Sequence, residues 1–164
     1  MRSHGQTLQP VSLLVTLIHT SQEAHDLAIA WKLSNDEKRL ATFIAQHRKK
    51  SYLSDTPIKY YFDLLVDGAW PKSVVELLFY CGNSEMAGEV GKWIENMPKL
   101  PVTGKDLKAI GVGQGPEMGG LLKLLKNKWK ESYFTMNREE LLELAQKTRT
   151  KQIEEAAKTT TPKR

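Results

Sequence analysis

Apolar residues recur at the three- and four-residue spacing of an α-helix through nearly all of this 164-residue chain. No segment shows the sustained alternation of apolar and polar residues that a half-buried β-strand requires. Signals for helix starts separate the periodic stretches; they are the Ser34-x-x-Glu37 capping box and the first-turn prolines Pro57, Pro71 and Pro116. The pattern predicts an all-α protein. The almost wholly apolar stretch 72–81 predicts one helix in the middle of its core.

Two prolines three positions apart, Pro98 and Pro101, mark the best internal boundary, because each disfavours helix in the residue before it. Apolar positions become sparse after residue 147, which is typical of a chain end that does not pack. The expected organisation is a flexible start (1–10), a helical body (11–98), a small basic helical tail module (99–147) and a disordered segment or frayed helix (148–164).

Positive charge is concentrated in the tail module. The whole chain has a net charge of +5, and the segment from Lys99 to Lys130 reaches the same value with seven lysines against two acidic residues. A basic segment of this kind indicates an anionic partner such as nucleic acid.

The tail module opens with a short helix, a turn rich in glycine and a second helix. Gly111, Gly113 and Gly115 permit positive φ and close approach of a ligand to the backbone. Gly115 is expected to be the N-cap of the second helix, with Pro116 as its first residue. Unpaired amides at such a helix start favour a phosphate. The alternative is a tight corner whose glycines serve packing alone.

The predicted phosphate contacts combine lysine side chains with backbone amides. Lys123, Lys126 and Lys130 recur about once per turn along one face of the second helix, as contacts along a nucleic-acid backbone require. A solvated helix face can show the same pattern. The predicted phosphate-binding residues are Lys105, Lys108, Gly113, Gly115, Glu117, Lys123, Lys126 and Lys130. The carboxylates of Asp106 and Glu117 are expected to hold the turn, and Trp129 to lie in the core.

The sequence contains no complete set of catalytic residues. It has no Walker loop, no Gly-x-Ser-x-Gly and no Asp-x-Asp pair for magnesium. The dipeptide His25-Asp26 occurs in metal-dependent phosphohydrolases, but a metal ion needs further ligands, so a surface histidine is favoured. Cys81 lies in an apolar run and is expected to be an inert thiol. We expect no catalytic residue, cofactor or metal in this chain, and no membrane partner.

The tail module resembles the C-terminal region of the class II tRNA nucleotidyltransferases, the CCA-adding enzymes, in their animal, mitochondrial-type form. The matching positions are Thr103, Gly104, Asp106, Leu107, Gly111, Val112, Gly115, Glu117, Met118, Gly119, Leu121 and Leu122, then Leu125, Trp129, Lys130, Tyr133, Glu140, Leu141 and Leu142. Weaker similarity in the body involves Leu33, Ser34, Glu37, Lys38, Leu40, Phe43, Ile44, Arg48 and Lys49. The likeness covers about residues 11–147.

The resemblance implies binding of tRNA. Enzymes of this family add or repair the 3′-terminal CCA of tRNA from CTP and ATP. Their body and tail hold the acceptor stem and the TΨC arm through the sugar–phosphate backbone, by shape rather than base sequence.

The same resemblance implies that chemistry occurs elsewhere in the enzyme. Mg²⁺, CTP and ATP belong to a catalytic head, and no residue here matches the head or the nucleotide-reading neck. We therefore expect this chain to be inactive alone, with the head and neck as further partners. A mitochondrial location, or a cytoplasmic or nuclear one, fits the resemblance. Two other functions stay open: a helical protein-interaction scaffold, or a stand-alone DNA-binding module.

Overall fold

The computed structural model describes residues 8–51 and 57–159, and this part of the chain contains nine α-helices, one 3₁₀ helix and no β-strand. The predicted all-α class is confirmed. The helices are α1 (Pro10–Leu14), α2 (Ser21–Ala30), α3 (Asn35–Ser51), α4 (Ile58–Val66), α5 (Pro71–Tyr80), α6 (Ser84–Glu95), α7 (Gly104–Ala109), α8 (Pro116–Glu131) and α9 (Arg138–Thr159), and the 3₁₀ helix, Val15–Leu17, directly follows α1. The chain divides into two compact units, Met1–Met97 and Pro98–Arg164.

Two sequence-based expectations fall partly outside the described residues. Residues 1–7 of the expected flexible start lie outside them, as do residues 160–164 of the segment expected to be disordered or frayed. Within the described part, α1 already begins at Pro10, and α9 continues past residue 147 to Thr159.

The first unit is built around α3 and α5. Helix α3 contacts α1, α2 and α5, while α5 also contacts α1, α4 and α6, as its apolar sequence predicted. The core consists of buried aliphatic side chains together with one tyrosine. Its members with the least exposure include Val15, Ala24, Ala41, Ile44, Tyr61, Val74, Leu77, Leu78 and Val90. Each large aliphatic side chain buried in this way stabilises the fold by about 1.5–3 kcal/mol.

Three helices of the first unit end in the same backbone motif, in which a residue of positive φ turns the chain back over the last turn. Gly68 follows the end of α4 and Gly82 that of α5, and in each case the amide of the next residue donates to the carbonyl five residues before it. Lys32 takes this position after α2, with φ of 52°. Trp31, the residue after α2, is 59% exposed.

Two buried charged side chains hold the short α1 segment at its opposite ends. The Glu76 carboxylate of α5 accepts hydrogen bonds from the Gln9 amide (2.7 Å) and from the Ser12 hydroxyl (2.6 Å). The Arg48 guanidinium of α3 donates to the carbonyl oxygens of Val15 (2.6 Å) and Ile18. An anion thus lies at the N-terminal end and a cation at the C-terminal end, as the helix dipole favours.

The second unit consists of α7, α8 and α9, each in contact with the other two. Its buried side chains are Val102, Leu107, Val112, Leu121, Leu125, Trp129, Leu141 and Ala145. Trp129 is only 2% exposed and packs edge-to-face on Phe134, which confirms its predicted place in the core. Helix α8 has Gly115 as its N-cap and Pro116 in its first turn, as predicted.

Replacing Arg48 with Met tests how much the first unit depends on this buried cation. The variant keeps an apolar side chain but removes the guanidinium that donates to the Val15 and Ile18 carbonyls. We expect the free energy of unfolding of the first unit to fall by about 2–4 kcal/mol. Amide hydrogen exchange within α3 and α5 in a urea series reports on this unit alone.

Lys49→Met is the matched control, because Lys49 is the exposed neighbour of Arg48 on the same helix. Its effect is expected to stay within about 0.5 kcal/mol. Equal losses in the two variants would contradict a stabilising role for the guanidinium.

Candidate nucleic-acid interface

The glycine turn, Gly111–Gly115, joins α7 to α8. Two backbone hydrogen bonds close the C-terminal end of helix α7. The Gly111 amide donates to the Lys108 carbonyl (2.9 Å), and the Val112 amide donates to the Leu107 carbonyl (3.0 Å). Gly111 and Gly115 have φ of 83° and 102°, a left-handed conformation that side chains with a Cβ rarely adopt. Both glycines are therefore required by the backbone itself.

Gly113 is a glycine for a different reason. Gly113 does not have a positive φ, so the positive φ expected at this position was wrong. A Cβ at Gly113 would instead lie 3.0 Å from Glu117 Oε2. The Glu117 carboxylate therefore leans over the turn, in the region where the amides of Gly113, Gly115 and Glu117 were expected to hold a phosphate.

Asp106 joins the start of α7 to α9. Its Oδ2 accepts hydrogen bonds from the Thr103 amide (2.8 Å) and hydroxyl (2.7 Å), which forms a capping box. Its Oδ1 accepts a hydrogen bond from Arg138 of α9 at 2.5 Å. These bonds hold the pKa of Asp106 well below its ordinary value, and the bond from Arg138 has the largest effect. The side chain is fully used in holding the module together.

The predicted lysines lie on the two helices that flank the glycine turn. Lys105 and Lys108 are exposed on α7 and line a shallow depression with Thr103, Gly104 and Met118, so they lie beside the first turn of α8. Lys123 is exposed further along α8. Lys126 and Lys130 are half-buried, and each already has an interaction within the chain.

Arg149 of α9 is a basic residue of this surface that the sequence analysis missed. Its Nη1 donates to the Ile110 carbonyl at 2.9 Å, and its Nε lies 3.8 Å from Glu117 Oε1. A Cβ at Gly111 would lie 2.9 Å from the same Nη1. One feature of the sequence could have indicated this position. Arg149 lies four residues after the buried Ala145, which places both on the inner face of α9.

Other candidate chemistry does not assemble in the described part of the chain. Burial raises the pKa of the Cys81 thiol to about 11, so it is protonated at neutral pH and is a poor nucleophile. Asp26, beside His25 on α2, accepts a hydrogen bond from Gln22 at 3.0 Å. Over residues 8–51 and 57–159 no group of three His, Cys, Asp or Glu side chains could hold a metal ion. Among the helices described, none is both long and apolar enough to cross a membrane.

The depressed pKa of Asp106 makes the stability of the second unit depend on pH. A carboxyl group of this kind contributes stability above its unfolded pKa of about 4, and loses it as the pH falls towards the folded value. We therefore expect Asp106→Asn to be less stable than wild type at neutral pH, with the difference shrinking below about pH 4. Fluorotryptophan labelling allows unfolding of the second unit to be followed at Trp129 by ¹⁹F NMR.

Glu139→Gln removes an exposed carboxylate from the same unit and is the control. A difference between wild type and Asp106→Asn that stays constant from neutral pH to about pH 3 would show that the pairing with Arg138 and Thr103 contributes no stability.

Comparison with known proteins identifies relatives over most of the chain, although no family model matches it. The chain is 35% identical over 150 residues to CCA tRNA nucleotidyltransferase 1, mitochondrial, of Mus musculus and of Homo sapiens, which covers 88% of this chain and 34% of each relative. The protein of the same name from Danio rerio is 31% identical over 147 residues, or 86% of this chain and 34% of the relative. The chain thus spans about a third of the length of these relatives. Over most of its own length it is a homologue of the CCA tRNA nucleotidyltransferases, as the residues around its glycine turn predicted.

Proposed function

We propose that this chain binds tRNA through its sugar–phosphate backbone, as the tRNA-binding C-terminal portion of a CCA tRNA nucleotidyltransferase. The observation that carries the proposal is the position of Lys105 and Lys108, exposed on α7 beside the start of α8. Lys123 adds a third exposed cation on α8. The relatives' name supplies the substrate class, tRNA.

A set of lysines on a rigid helical unit suits a partner whose sequence varies and whose shape does not. Phosphate contacts fix position and orientation but carry no base information. The acceptor stem and the TΨC arm form an A-form duplex whose shape and 2′-hydroxyl groups are read across the shallow minor groove. The proposed binding site therefore requires positive charge in fixed positions, which the packed unit of α7, α8 and α9 supplies.

In this proposal the chemistry belongs to the rest of the enzyme. Addition or repair of the 3′-terminal CCA from CTP and ATP, with Mg²⁺, takes place in the catalytic head. The chain described here contributes tRNA binding. The head and neck are its further partners, and it is inactive alone.

A salt series of tRNA binding, followed by fluorescence anisotropy, tests the proposal. Five lysine–phosphate contacts predict that log affinity falls with log salt with a slope of about −4. In Lys105/Lys108/Lys123→Gln three exposed cations are lost, and we expect a slope of about −2 and at least a tenfold weaker affinity at roughly 0.15 M salt. These lysines are exposed, so their replacement leaves the helix packing intact.

Lys49/Lys72/Lys92→Gln is the matched control, because it removes the same charge from exposed positions of the first unit. Its slope is expected to stay near that of wild type. Equal loss in both variants would mean that binding follows net charge rather than this surface. Equal affinity for a DNA duplex would favour the DNA-binding module, and no binding at low salt would favour the scaffold.

A further inference from the structure

Arg149 and Glu117 form a compact charge pair over the glycine turn. The Nε of Arg149 lies 3.8 Å from Glu117 Oε1, and its Nη1 donates to the Ile110 carbonyl at 2.9 Å. The two side chains are 33% and 48% exposed, so the pair lies at the surface where a ligand can reach it. The guanidinium thus contacts both ends of the turn: the C-terminus of α7 and the first turn of α8.

The glycines of the turn make room for this pair. A Cβ at Gly111 would lie 2.9 Å from Arg149 Nη1, and one at Gly113 would lie 3.0 Å from Glu117 Oε2. The guanidinium and the carboxylate therefore lie directly against the backbone. The hydrogen bond of Arg149 to the Ile110 carbonyl also holds the guanidinium at the turn, whereas an ordinary surface ion pair depends on its two side chains alone.

The negative charge of Glu117 opposes the binding of an anionic ligand to this surface. Glu117 is adjacent to Met118, the residue that lines the depression containing Lys105 and Lys108. An unpaired carboxylate one residue from Met118 would repel a phosphate held by those lysines, because like charges closer than the Debye length, about 10 Å at 0.1 M salt, are only partly screened. The positive charge of Arg149 cancels that repulsion.

We propose that Arg149 is a positioning residue for RNA binding, which neutralises Glu117 and fixes the glycine turn so that the neighbouring lysines present a net positive surface to a phosphate. This inference rests on the proposed function and extends the functional unit to α9. Arg149 acts through Glu117 and the turn, not through a contact of its own with RNA.

A double-mutant cycle on the 164-residue chain, with tRNA binding measured over a salt series, tests the inference. Arg149→Gln exposes the Glu117 charge, so we expect roughly five- to tenfold weaker binding at low salt. Glu117→Gln is expected to bind as wild type or more tightly. The double variant is expected to return to within about twofold of Glu117→Gln, because the repulsive charge is gone. Arg149→Lys, which keeps the charge, is expected to retain most of the affinity.

Lys147→Gln is the matched control. It removes one positive charge from the same helix and releases a different carboxylate, that of Glu143, with which Lys147 pairs at 2.6 Å. Its binding is expected to stay within about twofold of wild type. Circular dichroism and the Trp129 ¹⁹F signal verify that each variant is folded.

Several outcomes would overturn the inference. If the double variant binds as weakly as Arg149→Gln and the salt slope falls by about one, Arg149 contacts a phosphate directly. If the double variant stays weak with an unchanged slope, Arg149 only supports the turn through Ile110. If Arg149→Gln binds as wild type, the residue has no part in binding. A wild-type chain that binds no tRNA refutes the proposed function itself, before any variant is compared.

Discussion

The second unit depends on one constraint: the chain must leave α7 and enter α8 within the six residues 110–115, with the backbone groups of both helix ends satisfied. Helix α7 has six residues and is too short to be stable alone. A capping box therefore closes its start, and a glycine of positive φ closes its end. That left-handed turn directs Val112 back into the core beside Leu107. Pro116, which needs no hydrogen-bond partner for its nitrogen, then begins α8.

The first unit solves a similar problem by tertiary contacts. Helix α1 has five residues, and neither it nor the 3₁₀ helix after it has a side-chain cap of its own. Glu76 and Arg48, from helices distant in sequence, supply the missing acceptor and donors. These buried charges are matched to uncharged backbone and hydroxyl groups of Gln9, Ser12, Val15 and Ile18, so removing either charge takes a hydrogen-bond partner from several polar groups. A short segment is thereby attached firmly to the α3–α5 core.

What could be predicted from the sequence came from residues with strong local preferences, and what could not came from a helix end that lacks such a residue and from tertiary contacts. The start of α8 at Gly115 follows from residue types whose preferences act within one turn. The exposure of Trp31 did not follow, because α2 ends through a left-handed lysine, Lys32, where composition gives no such signal. Arg149 was missed for another reason. Its partners lie more than thirty residues away in sequence, and the sparse apolar residues around it indicated a frayed end rather than a functional one.

Packing and binding are not competing explanations for the glycine turn. Gly111 and Gly113 leave room for side chains of this same chain, Arg149 and Glu117, so the glycines serve internal contacts first. Those contacts determine which charges remain at the surface. Lys126 and Lys130 are half-buried and already have interactions within the chain, with which a phosphate would compete. The exposed lysines lose only side-chain freedom when they bind. Each exposed lysine, Lys105, Lys108 or Lys123, is therefore expected to contribute more to the affinity of this unit for a polyanion than Lys126 or Lys130.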